Sequence, residues 1–184
     1  MSIGMSSIEN HRTVVMFTAA ASGNLLVKGD KKTGFVDGEG QSAAGGYTIN
    51  KGDTTIVNQQ LQSQESALLK GMQVHVTRGA FDEVVPAAER EAFLNAATIT
   101  LKVAGMPYDL GKGIDWRGPI ETGGLLPFVK AFAEEKRVNG SSQISVEVEI
   151  NKTLTGGVVA NKTYALWFNF PSLRAFSNEA AIKN

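Results

Sequence analysis

Apolar and polar residues alternate with a period of two in several segments of this chain. In residues 144–150, ISVEVEI, every second residue is aliphatic, beginning with the first, and the residues between them are Ser or Glu. Successive side chains of a β-strand point to opposite faces, so this pattern indicates a strand with one buried and one solvated face. The same alternation in residues 72–77 and 98–103 predicts a chain built mainly from strands.

About eight strands are expected, separated by turn-forming residues. The segments with strand character are 11–21, its possible continuation 24–29, 47–58, 68–79, 98–104, 108–110, 141–154 and 164–170. Pro171 is expected to end the last of them, because proline cannot donate to a strand ladder. Many short strands separated by turn signals are typical of an antiparallel sandwich or barrel rather than of βαβ units.

The remaining segments differ in composition. Residues 84–96 are rich in Ala, contain an early Pro86 and place apolar residues at three-four spacing, which predicts one short helix. Residues 29–46 and 111–127 carry many Gly and polar residues and are predicted to be long loops. Residues 128–137 suit either a strand or a helix.

The length of 184 residues fits one domain with a sizeable core. We expect residues 1–10 to form a flexible N-terminal arm, 11–171 the single β-sandwich domain and 172–184 a C-terminal tail. The chain has no Cys, which rules out disulfides and thiolate chemistry. No signal peptide is expected at the N-terminus, and no apolar run reaches the 18 to 20 or so residues of a membrane helix.

The charge balance argues against direct nucleic-acid binding. Lys plus Arg and Asp plus Glu both total 18, so the formal net charge is zero. Proteins that coat phosphates need a basic excess, which this chain lacks. A chain without net charge also lacks the electrostatic repulsion between copies that opposes association. The charge balance is therefore compatible with self-assembly.

The sequence predicts no enzyme. His11 and His75 are the only histidines, no motif has the spacing of a metal site, and the serine-hydrolase motif G-x-S-x-G is absent. Glu147 and Glu149 share a strand face, as carboxylates on solvated sheet faces commonly do. We therefore expect no catalytic residue, no cofactor, no metal and no small-molecule substrate.

Two tryptophans are the candidate interaction residues. In residues 164–170, YALWFNF, one face is aromatic and aliphatic, and Trp167 projects from the other. A strand that is apolar on both faces needs cover on both, either from its own loops or from a neighbouring subunit. Trp116 lies in a predicted loop, where a large aromatic side chain often anchors a contact. Trp116 and Trp167 are thus predicted subunit-interface residues.

Four segments together resemble a known group of proteins. They are LLKGMQVHVTRG (68–79), AATITLKVAGMPYDL (96–110), SQISVEVEINKTL (142–154) and KTYALWFNF (162–170). In pattern and style the chain is similar to the small single jelly-roll capsid proteins of tailless bacteriophages that contain an internal membrane. The resemblance implies an all-β, antiparallel sandwich of jelly-roll type, with two sheets and long loops.

The resemblance also implies a structural function. Copies of the chain would associate with each other and with other virion proteins into an icosahedral shell, near an internal viral membrane but without a transmembrane segment. The protein would be made in the host cytoplasm and reside in the virion. Two alternatives stay open: a carbohydrate-type ligand-binding β-sandwich, with an exposed aromatic platform near Trp116 or Trp167, and a phage tail or head-decoration component.

Overall fold

Eight strands form two antiparallel sheets in the computed structural model of the protein. The structure describes residues 7–36, 47–50, 52–56, 58–61, 65–78, 83–116 and 129–176. The strands are β1 (Ser7–Thr18), β2 (Lys31–Gly34), β3 (Glu65–Arg78), β4 (Ala97–Val103), β5 (Met106–Lys112), β6 (Lys130–Val138), β7 (Ile144–Ile150) and β8 (Thr163–Phe176). One α-helix, α1 (Ala87–Ala96), lies within the predicted range 84–96.

The two sheets interleave the two halves of the chain. The first sheet has the order β1-β8-β3-β6 and the second the order β2-β7-β4-β5. Every described pair of neighbouring strands is antiparallel. The prediction of an antiparallel β-sandwich with about eight strands and one short helix is therefore confirmed.

The core lies between the sheets and is filled by the alternating apolar residues. The inward-facing aliphatic residues of β7, which are Ile144, Val146, Val148 and Ile150, are fully buried. In β8, Tyr164, Leu166, Phe168 and Phe170 face the same core. Burying one such side chain contributes about 1.5–3 kcal/mol, so the alternation read from the sequence is also the main source of stability.

Helix α1 closes one end of the sandwich. Its Phe93 ring lies 5.1 Å from the Tyr164 ring, between centroids. Glu89 in the same helix receives two hydrogen bonds from Arg78 Nη1, at 2.8 and 2.7 Å, and another from the Tyr164 hydroxyl. Burial raises the pKa of Tyr164 to about 12, so the phenol keeps its proton and remains a donor. The helix is thereby tied to the ends of β3 and β8.

The β4–β5 connection is a two-residue hairpin. Ala104 and Gly105 both have positive φ angles, 51° and 81°, which matches the turn geometry preferred between twisted antiparallel strands. Pro107 lies in β5, an edge strand, where a missing backbone donor is tolerated. The expected break at residues 105–107 is thus a tight turn followed by an edge strand.

The prediction that Pro171 ends the last strand is wrong. β8 continues through Pro171, which pairs with Asn10, as far as Phe176. The ladder between β8 and β3 is irregular at this point: Leu69 pairs with Ser172 and Gln73 with Asn169, so β3 has one extra residue. The bulge in β3 interrupts the ladder opposite Pro171. No hydrogen bond from a backbone N–H is required at that position, so proline is tolerated there.

Other boundaries also differ from the predictions. β1 begins at Ser7, so residues 7–10 of the expected arm belong to the sheet, and β8 takes in residues 172–176 of the expected tail. β2 lies within the segment predicted to be a long loop, and the segment 128–137, for which a strand or a helix was open, is largely the strand β6 (Lys130–Val138).

The strand expected at 47–58 is replaced, in its described residues, by turns and single bridges. The Asn-Lys-Gly-Asp sequence in the centre of this segment favours a turn. The N–H of Asp53 donates to the carbonyl of Asn50, so it is not available to pair with a neighbouring strand. Residues 1–6 and 177–184 lie outside the described residues. Within the described ranges, no helix has the length and apolar character needed to span a bilayer.

Gly71 gives a test of the contact between β3 and β6. A Cβ atom at this position would collide with the Lys130 carbonyl oxygen and lie 3.0 Å from Ala131 Cα, both in the backbone of β6. We expect Gly71→Ala to lower the free energy of unfolding by about 1–3 kcal/mol, measured by urea denaturation. Gly156→Ala is the matched control, because nothing lies within 4 Å of its Cβ position. Equal stability of the two variants would contradict this packing.

Candidate functional site

The outer face of the first sheet presents side chains in rows that cross three strands. In each row, one residue comes from β1, one from β8 and one from β3. The rows are Arg12–Asn169–Gln73, Val14–Trp167–His75 and Met16–Ala165–Thr77. The first row is polar throughout, whereas the other two rows contain apolar residues from β1 and β8. Trp167 lies at the boundary between them.

The chain covers part of this face itself. Val14, Met16 and Ala165 are buried and form a small cluster with Tyr47 and Trp167. The Tyr47 ring meets the Trp167 ring edge-on, with 6.3 Å between centroids. The sequence left open whether this strand face is covered by the chain itself or by a neighbouring subunit. Its apolar part is covered by the chain's own residues.

Trp167 is held in one orientation. Its Nε1 donates a hydrogen bond to Thr77 Oγ1 at 2.8 Å, and the side chain remains half-buried. On the other side, Asp53 Oδ2 accepts hydrogen bonds from the Tyr47 hydroxyl (2.6 Å) and from the Asn50 N–H (2.8 Å). The carboxylate and the indole are therefore both fixed before any partner arrives.

A pocket of about 480 Å³ lies next to Trp167, over the polar row. Its lining includes Arg12, Asp53, Gln73, His75, Trp167 and Asn169. Asn169 Nδ2 donates to Gln73 Oε1 at 3.4 Å. Asn169 Oδ1 is buried and accepts no hydrogen bond from any described residue.

The charge in the pocket is balanced. Arg12 is exposed at the rim and Asp53 forms part of the opposite wall. Burial, with a smaller effect of the Arg90 charge, lowers the pKa of His75 below its usual value. His75 is therefore neutral at pH 7, and the two opposite charges leave the pocket with none in excess.

The two long sides of the sandwich differ. On one side β1 and β2 lie against each other: the Phe35 N–H donates to Thr13 Oγ1 at 2.7 Å, and a Cβ atom at Gly34 would lie 2.8 Å from Thr13 Cγ2. On the other side, β5 and β6 are not paired with each other among the described residues. A groove of about 740 Å³ lies between them.

Trp116 lies in this groove. It ends a short 3₁₀ helix (Gly113–Trp116) and is only 6% exposed. Its Nε1 donates to the Leu110 carbonyl at 2.7 Å, and its ring meets the Phe132 ring edge-on at 5.6 Å. Lys130 Nζ lies 5.0 Å above the indole. The loop position predicted for Trp116 is thus a buried turn at the edge of the core, while its interface role, like that of Trp167, stays a prediction.

The carboxylates of β7 lie on the solvated face of the second sheet. Lys31 Nζ lies 2.8 Å from Glu149 and 3.5 Å from Glu147, and Lys102 Nζ donates to Glu147 at 3.0 Å. The hydrogen bond from Lys102 lowers the pKa of Glu147. Each carboxylate thus has a lysine partner. Over the described part of the chain, no three or more His, Asp or Glu side chains gather in a way that could hold a metal ion.

No protein-family model, curated protein or solved structure matches this chain. A functional assignment therefore depends on the strand order and on the two surfaces, the Trp167 pocket and the groove between β5 and β6.

Sequence reasoning found the two tryptophans but missed the polar residues beside Trp167. Arg12, Gln73 and Asn169 come from three strands that are far apart in the sequence, and they meet only through the register of β8 with β1 and β3. The available signal was that each occupies a polar position in an alternating strand. That signal does not identify which positions face each other.

The two tryptophans are expected to differ in solvent access. In Trp116→Phe only Trp167 emits, and its half-exposed indole should give red-shifted fluorescence that acrylamide quenches strongly. In Trp167→Phe only the buried Trp116 emits, and its fluorescence should be blue-shifted and quenched several-fold less. Similar quenching constants in the two variants would contradict the placement of these residues.

Proposed function

We propose that the protein is a virion structural protein, a jelly-roll capsid subunit that associates with copies of itself into an icosahedral shell. The order of strands is the observation that supports it. A jelly roll arises when a long antiparallel hairpin of eight strands wraps into two sheets. The pairs already present in the hairpin have strand numbers that add up to nine, and further pairs, here β3–β8 and β4–β7, join them within each sheet. The pairs β1–β8, β3–β6, β2–β7 and β4–β5 all follow this rule.

The pairs also alternate between the sheets, as wrapping of a hairpin requires. β1–β8 and β3–β6 lie in the first sheet, and β2–β7 and β4–β5 lie in the second. A simple up-and-down order of strands would instead pair consecutive strands throughout. Viral capsid proteins and some lectins use the jelly-roll arrangement.

A fold alone does not specify a function, so the proposal also needs a surface for assembly. We place it on the side of the groove between β5 and β6, where Trp116 lies. Two apolar side chains are exposed near this side, Met106 at 62% and Val129 at 40%. An apolar centre with a polar rim is the usual composition of a protein interface.

The rim of the groove carries charges of both signs. Lys130 and Lys136 lie beside Asp109 and Glu134. A rim of mixed sign can be complementary to the same rim of another copy, and the chain has no net charge to oppose the contact. The expected partners are therefore copies of this chain and other virion proteins.

A ligand-binding β-sandwich is the second candidate function. The pocket beside Trp167 favours it, because a half-buried indole lies next to the polar side chains of Arg12, Gln73 and Asn169. A tail or head-decoration role would differ from the capsid role only in where the protein lies on a particle. Labelling of whole particles with an antibody separates these two locations.

Assembly is tested by a substitution on the rim of the groove. Ala133 is exposed on β6 and lines the groove, so Ala133→Arg adds bulk and charge without disturbing the core. We expect wild-type protein to form particles far larger than the 19.6 kDa chain, seen by light scattering and negative-stain electron microscopy. Ala133→Arg should raise the protein concentration needed for assembly at least tenfold, which corresponds to about 1.4 kcal/mol per subunit added.

Ala88→Arg is the matched control, since Ala88 is exposed on α1, away from the groove. It should assemble like wild type. Wild-type protein that stays monomeric at every accessible concentration would overturn the proposed function. Equal assembly of Ala133→Arg and Ala88→Arg would show that the interface lies elsewhere.

A further inference from the structure

We infer that the pocket beside Trp167 binds a neutral saccharide, with one sugar ring against the indole and its hydroxyls on the polar row. This is an activity beyond shell formation and does not depend on it. The pocket lies on the outer face of the first sheet, whereas the proposed assembly surface lies between β5 and β6. Both surfaces can therefore be occupied at once.

The size and the apolar wall of the pocket fit a small ring. Its volume of about 480 Å³ lies in the range of about 300–1,000 Å³ that is typical of ligand sites. One face of a pyranose carries mainly C–H groups, and such groups pack well on an aromatic side chain. Trp167 offers its half-buried indole at the edge of the polar row, fixed there by Thr77.

The polar wall supplies what sugar hydroxyls need. Asn169 Oδ1 is a buried acceptor that receives no hydrogen bond from a described residue, and such a group costs free energy until a donor satisfies it. Asn169 lines the pocket, and a turn of its amide would bring Oδ1 to a sugar hydroxyl. The hydroxyl both donates and accepts, so it can also bond the exposed Arg12 guanidinium. Asn169 in turn holds Gln73, which lies beside it in the next strand.

The charge of the pocket favours a neutral ligand over an anionic one. Asp53, held by Tyr47 and Asn50, faces the pocket and would repel a phosphate or a sulfate. The same carboxylate can accept a hydrogen bond from a sugar hydroxyl. His75 contributes no positive charge at pH 7, so Arg12 is the only cationic side chain that lines the pocket among the described residues.

The site is built on regular strands. Apart from Asp53, which lies in a turn, its side chains come from β1, β3 and β8, and their spacing is set by the register of the ladder. A sugar would meet groups that are already in place, which reduces the ordering cost of binding.

The experiment uses the full chain on a microarray of neutral, sialylated and sulfated glycans. Neutral glycans that bind are then titrated in solution, with the fluorescence of the Trp116→Phe protein as the readout, so that Trp167 alone reports. We expect binding of at least one neutral saccharide with a change in Trp167 emission. Arg12→Ala and Asn169→Ala should each weaken it at least tenfold.

Arg137→Ala is the matched control, because it removes an exposed arginine from β6 of the same sheet, outside the pocket. It should bind like wild type. Arg12→Ala removes only an exposed side chain, and thermal unfolding of each variant verifies that the fold is kept. Three results would each overturn the inference: no neutral glycan bound, stronger binding of sulfated glycans, or affinities unaffected by both substitutions. Particle mass, measured separately, reports on assembly and not on this site.

Discussion

β8 lies between β1 and β3 and contacts structured residues on both of its faces. Its inner residues Tyr164, Leu166, Phe168 and Phe170 are at most 1% exposed. On its outer face, Ala165 and Trp167 pack against β1 and Tyr47. Removal of this one strand would separate β1 from β3 and open the core, so the first sheet depends on the last strand of the chain.

Both proposed surfaces follow from the way the chain returns along itself. The pocket exists because β8 brings Asn169 and Trp167 between residues of β1 and β3. The groove exists because β5 and β6, which are consecutive strands, end up at the edges of different sheets. The sandwich is closed where β1 meets β2 and accessible where β5 faces β6, and the proposed assembly surface lies on the accessible side.

Much of the fold was predictable from the sequence because alternation reports burial directly. The strands around residues 98–103, 144–150 and 164–170 each have one face in the core, so their pattern is clear. β2 escaped prediction because it has only four residues, three of them exposed. The prediction that Pro171 ends the strand was wrong because a proline is tolerated where the neighbouring strand has a bulge. That bulge lies in β3, and the sequence around Pro171 gives no sign of it.

The candidate site was less predictable than the fold. Trp167 is conspicuous in the sequence, but Arg12 and Gln73 are ordinary polar residues of amphipathic strands. Their proximity depends on register, and a shift by one residue would turn either side chain to the opposite face. Trp116 showed the opposite problem: it was conspicuous in a presumed loop, and the hydrogen bond to Leu110 and the contact with Phe132 place it in the core.

Pairing of β8 with β1 is most directly measured by an engineered disulfide. The Oγ1 atoms of Thr18 and Thr163 lie 2.9 Å apart, and the natural chain has no Cys, so the double variant Thr18→Cys/Thr163→Cys carries only two thiols. Cβ atoms of paired residues at this spacing lie within reach of a disulfide. Mild oxidation of the folded variant should form a disulfide between the end of β1 and the start of β8 in nearly all molecules. Thiol titration and peptide mass mapping would detect it. Free thiols in a variant with wild-type circular dichroism would contradict this pairing and the strand order built on it.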